Sequence, residues 1–397
     1  MNVLILVVAI MLALWLAFSR RLAGSSRWQA TVTPLASIMG SGFLISAPLL
    51  GGIVGLWATV AMGVLLILAY FVGSAIRYNI RHFEPIEHER GVAQTVAFVS
   101  RVVLVLAYFI SVVYYLELLA VFALHFFDIS NRVEANLITS GLLLVIAIVG
   151  VWKGLDSLEK VERFAVAINL GMIGSLLVGL IAYHLGLFSS GKWALPEIES
   201  IIDTGDLRVL LGLLIVVQGF ETSRYLGSKH YPEERIQTMR NAQLISAGIY
   251  LSFVSLATIL FAPGMGSDVT AILTLTKQVA WILPGLLAIA ALGSQFSAAV
   301  ADTAGAGGLI SDLSKDRISE RFSYLVIFGV TIALTWVVDV NEVIALASRA
   351  FALFYALQCF VAAILAQARK KWPLFSAFLL LSAICFLVFV FGVPAEG

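Results

Sequence analysis

Apolar residues run through this chain in long blocks separated by short clusters of charge. A hydrocarbon core about 30 Å thick needs about 20 apolar residues per helical crossing. Blocks of that kind fall at 2–18, 31–50, 53–76, 93–127, 136–153, 160–188, 207–227, 238–262, 275–311, 321–338, 343–367 and 373–392. The pattern predicts an all-α polytopic protein with about twelve spans, numbered here 0 to 11.

The polar punctuation orients these spans. Arg20, Arg21 and Arg27, then Arg77, Arg81 and Arg90, then Lys153, Lys160 and Arg163 fall on one side of this layout. So do Arg224, Lys229, Arg235 and Arg240, Lys315, Arg317 and Arg321, and Arg369, Lys370 and Lys371. That is 19 of the 25 basic residues, against Arg132, Lys192, Arg208 and Lys277 opposite; Arg101 and Arg349 fall within spans. Cytoplasmic loops carry the excess of Lys and Arg, so both termini are expected outside a plasma or inner membrane. Met1–Phe18 has no basic start and no Ala-x-Ala site, and Arg20-Arg21 follow it, so it reads as a retained span.

Spans 1–5 and 6–10 then run with opposite polarity, the arithmetic of an inverted repeat. The expected organisation is an N-terminal helix and cytoplasmic link over 1–28, a first five-helix repeat over 29–190, its inverted partner over 191–368 and a C-terminal helix over 369–397. Both repeats open on an interrupted apolar block. Span 1 carries Gly40-Ser41-Gly42 and span 6 carries Gln218-Gly219-Phe220-Glu221, each near mid-membrane at about 1.5 Å per residue. An unpaired amide in lipid costs several kcal/mol, so matched breaks of this kind point to a binding site at the repeat interface. Helices 1 and 6 are therefore expected to be discontinuous. The half-helix after Gly42 would offer amides to an anionic group, and freed carbonyls would suit a cation or an amine. The competing reading is that the glycines allow close helix packing.

Composition agrees with a membrane chain. Hydrophobic residues make up 60% and charged residues 12%, with a mean hydropathy of +0.99, too little charge to cover a surface in water. Cys359 and Cys385 lie in apolar runs and read as small buried hydrophobes. The five histidines show no metal-ligand spacing, and there is no nucleophile elbow, phosphate loop or nucleic-acid signature. An enzyme, a cofactor protein and a nucleic-acid binder are not expected; the lipid bilayer and a small solute are the expected partners.

Candidate chemistry is sparse inside the spans. Ser37, Gly40, Ser41, Gly42, Phe43, Gln218, Gly219 and Phe220 flank the breaks, and Tyr114 and Tyr115 of span 3 supply aromatic walls for a solute. Glu221 is either a helix-end latch or a proton site. In span 8, Ser294 and Ser297 share a face and Asp302 is a buried acid. With Thr303 and Glu221 they form the candidate set for a coupling ion, Na+ or H+; Na+ would take such oxygen donors. Glu117 and Arg349 lie in the outer third of the bilayer, where they are expected to pair as a gate. Arg349 meeting a substrate carboxylate or snorkelling to the surface are the alternatives.

Met39-Gly40-Ser41-Gly42-Phe43-Leu44 resembles the Gly-x-Gly-Ile-Phe motif of amino acid permeases, and Gly219-Phe220-Glu221 their Gly-Phe-Glu. The chain thereby resembles the amino acid–polyamine–organocation (APC) superfamily, which implies the leucine-transporter fold, with span 1 amides on a substrate carboxylate. A second likeness is to solute:sodium symporters. It rests on the extra first helix, on Gly307-Gly308-Leu309-Ile310-Ser311-Asp312, and on Tyr231-Pro232-Glu233-Glu234-Arg235. Counted back from Asp312, that family's sodium site falls on Gly293, Phe296 and Ser297, and Phe296 removes a hydroxyl ligand. The expectation is an ion-coupled secondary transporter for an amino acid or related zwitterion. The alternatives are a nucleobase, vitamin or inorganic-ion transporter of the same fold, or a non-transporting sensor or scaffold.

Overall fold

The computed structural model describes residues 1–125, 127, 129, 131–198, 202–226, 230–262, 265 and 268–394, without the side chains of Ala23, Ser41 and residues 156–163. The predicted contribution of the Ser41 side chain therefore lies outside the described residues, as do Lys229 and the side chains of Lys160 and Arg163.

Every described regular element is helical. The long helices are α1 (Asn2–Phe18), α2 (Ser26–Val54), α3 (Ala58–His82), α4 (Val92–His125), α5 (Arg132–Lys153) and α6 (Asp156–Ser189). After a short α7 (Thr204–Leu211) come α8 (Pro232–Ala257), α9 (Leu283–Leu313), α10 (Glu320–Val337), α11 (Val340–Ala368) and α12 (Trp372–Phe391). They follow the apolar blocks in order. Among the described residues nine helical stretches are long and apolar enough to cross a membrane, one of which, Ser26–His82, holds both α2 and α3. The shorter α1 and the interrupted stretch from α7 to Leu226 account for the other two blocks.

Polar residues at the ends set the boundaries. The Ser25 hydroxyl accepts from the Trp28 amide at the start of α2, and Asn131 from Val133 at α5. Capping boxes formed by Asp203 with Asp206 and by Asp339 with Glu342 open α7 and α11. Burial on α3 follows the 3.6-residue period. Val60, Val64, Ile67 and Phe71 are exposed in one stripe while Met62, Ala69, Val72 and Ile76 are buried. An apolar stripe facing outward is what lipid requires in place of water.

Packing links the two halves. α4 lies against both α9 and α11, and α6 lies against α9. α3 meets α8, α5 meets α10, and α4–α5 and α9–α10 are neighbours. Exchanging each of α2–α6 with its counterpart five spans later maps these contacts onto one another. α1 covers α6, and α12 covers α11.

The two predicted breaks part company here. The second is present: after α7 the backbone runs through 3-10 turns at Leu214–Val217 and Phe220–Leu226, with Gln218 extended and Gly219 at φ +115° between them. The first is absent. α2 is continuous through Gly40, Ser41 and Gly42, so their amides are spent within the helix. Gly42 instead serves close approach, since a Cβ there would lie 2.7 Å from the Val216 Cα. A helix whose amides are all bonded avoids the cost of bare amides in lipid, and the glycine lets the interrupted stretch press against it. The packing alternative holds for span 1; discontinuity holds for span 6 alone.

Candidate functional site

A break in lipid is tolerated only if its polar groups find partners. Here most do, from α4, α8, α11 and the break itself. The Ile215 amide donates to the Ser348 hydroxyl of α11 at 2.9 Å. The Tyr250 hydroxyl of α8 bridges the Val216 and Ile38 carbonyls, at 2.7 and 2.9 Å, and so ties the break to α2. Glu221 reaches back to accept from the Gly219 amide at 3.0 Å and also accepts from the Tyr355 hydroxyl at 2.7 Å. The Gln218 side chain donates to the Tyr115 hydroxyl of α4 at 2.7 Å. Phe220 stacks on Tyr355 with centroids 5.2 Å apart. Gly219 is required twice over: its φ is left-handed, and a Cβ would meet Ser37 Oγ at 2.6 Å and the Ile38 nitrogen at 2.7 Å. Through its bonds to the Gly219 amide and the Tyr355 hydroxyl, Glu221 closes the turn in this structure.

Beside the break lies a cavity of about 560 Å³. Ser37 of α2, Tyr108 of α4, Asn169 of α6, Thr222 and Tyr225 after the break, and Ser294, Ser297 and Asp302 of α9 line it. It extends to Asp312 and Glu320, where α9 gives way to α10, the end whose loops hold most of the basic residues. At that end Arg101 is bound at 2.9 Å to Glu87 and at 2.9 Å to Asp312. Asp302 is 6% exposed and accepts a short hydrogen bond from Ser111 of α4. Among the described residues, the charged side chains lining the cavity are Asp302, Asp312 and Glu320, all acidic.

Several expectations meet in this cavity and others do not. Ser37, a candidate for the solute, and Ser294, Ser297 and Asp302, candidates for the coupling ion, line one space. Gly40 faces the same wall, its Cβ direction 3.8 Å from Ala298 and the Ser294 carbonyl. Phe43 lies elsewhere, packed on Phe253 and Tyr250 with centroids 4.4 and 5.4 Å away. Tyr114 is fully buried with its ring 5.0 Å from Tyr115. Thr303 spends its hydroxyl on the Ala299 carbonyl at 2.7 Å, and Ser294 donates to Ala291 at 3.2 Å.

The gate pair is not formed. Arg349 Nε donates to the Phe389 carbonyl of α12 at 2.8 Å, with its guanidinium 5.8 Å over the Phe389 ring. Both Glu117 oxygens are buried without a hydrogen-bond partner among the described residues. Equal depth on two helices fixes height and leaves the facing direction open; α11 turns Arg349 towards α12.

Sequence reasoning missed Asn169, Thr222 and Tyr225. Asn169 carried a usable signal, a lone amide in the apolar block 160–188, the same criterion that singled out Asp302.

A helical membrane protein with one interrupted span beside a polar cavity suits a carrier, and comparison with known proteins decides the family. A family profile described as "APC superfamily transporter" matches residues 20–392. The chain belongs to the APC superfamily of transporters. Similar to it also is an uncharacterized protein of Aquifex aeolicus (strain VF5), 43% identical over 377 residues, 93% of this chain and 91% of that protein. The matched region takes in α2 to α12 and with them every residue named at the break and the cavity.

Proposed function

We propose that this APC-superfamily protein is an alternating-access secondary transporter of a small polar organic solute bearing an amine, an amino acid or related zwitterion first, driven by Na+ or H+. The observation that carries the reading is the cavity, which joins the break to one end of the bundle. Its acidic and hydroxylic lining favours the amine end of a solute. The continuous α2 withholds the amides that a solute carboxylate would need at Gly40–Gly42, so that end falls to Asn169, Thr222 and Ser37 in this state.

The open end bears the basic loops, so by the positive-inside rule it faces the cytoplasm and both termini lie outside. For Na+, the oxygens on offer are the Ser294 and Ser297 hydroxyls and nearby carbonyls, with Phe296 contributing none.

A thermal-shift screen of amino acids, amines and nucleobases, with and without Na+ at two pH values, tests the reading, because a bound solute raises the melting temperature. Ala301→Phe, which fills the cavity from an exposed position on its wall, should abolish the solute shift while the protein without solute melts within a few degrees of wild type. A shift that survives Ala301→Phe overturns the site.

A further inference from the structure

Glu117 lies in α4 two turns from its distal end, and it is 3% exposed. Neither of its carboxylate oxygens has a hydrogen-bond partner among the described residues. The charged groups near enough to act on it are Arg132, which opens α5, and Asp339, which caps α11. Both are engaged: Arg132 donates to the Val338 carbonyl at 2.9 Å, and Asp339 accepts from the Glu342 amide at 2.9 Å. Among the described residues, further polar groups of the elements packed on α4 are engaged elsewhere. α9 brings Asp302, which accepts from Ser111; α11 brings Arg349, turned to Phe389, and Tyr355, which serves Glu221. α10 brings Tyr324, bonded to Glu320.

An anionic carboxylate with no donor is the costliest arrangement a membrane interior holds. The acid form lowers that cost steeply, because a neutral carboxyl needs no counter-charge and buries only unpaired polar atoms. Position adds the second argument. Glu117 is six residues beyond Ser111, about 9 Å along the helix, on the side away from the cavity mouth at Asp312 and Glu320. Asp302 touches the open cavity, whereas Glu117 is sealed from it.

We propose that Glu117 is a proton-binding site, neutral in this state, which exchanges its proton with the opposite side of the membrane when that end of the bundle opens. This rests on the transporter reading for its role in a cycle and makes H+ the coupling ion. Na+ is then a competitor in the test.

Infrared difference spectroscopy of the full chain in liposomes at neutral pH, wild type minus Glu117→Gln, tests it without a known solute. The expected result is a wild-type carbonyl band of a protonated carboxylic acid that Glu117→Gln loses, unchanged by Na+. Glu117→Gln should melt within a few degrees of wild type, since the amide mimics the neutral acid. Identical spectra overturn the assignment, and so does a band that Na+ abolishes, which would make the residue a sodium ligand. A large drop in melting temperature for Glu117→Gln also overturns it, because a required negative charge would explain the loss. A missing band leaves the transporter reading standing, and a failed solute screen leaves the band to be found.

Discussion

At the scale of single residues, the acids of the core divide by their partners. Glu221 gives one oxygen to the Gly219 amide and the Tyr355 hydroxyl, so its carboxylate closes a turn. Its removal leaves two buried donors bare, each worth about 1–3 kcal/mol. Glu221→Ala should therefore destabilise the protein by about 2–5 kcal/mol, read by unfolding in mixed micelles. Glu221→Gln retains an acceptor oxygen and should stay within about 1 kcal/mol of wild type. Equal losses in the two variants would show that the negative charge, rather than the acceptor, holds the turn. Asp302 and Glu117 have different surroundings, one at the cavity wall beside Ser111 and the other enclosed and unpartnered.

At the scale of elements, the contrast between Gly40 and Gly42 separates two uses of glycine. The nearest atoms to a Cβ on Gly40 are 3.8 Å away, whereas one on Gly42 would lie 2.7 Å from Val216. Gly40→Ala should be neutral or gain up to about 1 kcal/mol of helix propensity. Gly42→Ala should cost about 1–3 kcal/mol by wedging α2 from the break. Thermal unfolding of the two variants side by side checks this, and equal damage at both would mean that α2 opens at Gly40 in the stable state. The case also marks what the sequence could convey. Apolar block length was enough to place every long helix, because in lipid the backbone has no other way to bond. The break at Gly219 was legible because polar residues flank it, and the neighbouring Glu221 supplies a side-chain acceptor to the freed Gly219 amide. At Gly40–Gly42 the deciding neighbour is Val216, far away in sequence. Local pattern cannot tell a glycine that opens a helix from one that admits another chain segment. The Glu117–Arg349 pair failed for a related reason, as helix depth says nothing of rotation about the axis.

At the scale of the whole molecule, the cavity gives the protein a direction. It extends towards the end where α9 gives way to α10, at Asp312 and Glu320, while Tyr115, Gln218, Phe220 and Tyr355 are packed and hydrogen-bonded above it. On the alternating-access proposal this is one state of the carrier, and closing that end would rearrange the groups beside it, among them the Arg101 links to Glu87 and Asp312. The chain offers a clean way to read which end is open, because both native cysteines are buried and should stay silent to impermeant thiol reagents. Ala301→Cys places a thiol on the cavity wall, at an exposed position. In inside-out vesicles it should label readily, and in right-side-out vesicles at least about tenfold more slowly, since access there waits on a minor conformer a few kcal/mol away. A saturating solute that favours closure should slow labelling from the cytoplasmic face and leave a thiol placed at exposed Trp152 untouched. Labelling that is equally fast from both sides would describe a pore, and the alternating-access reading would fall with it.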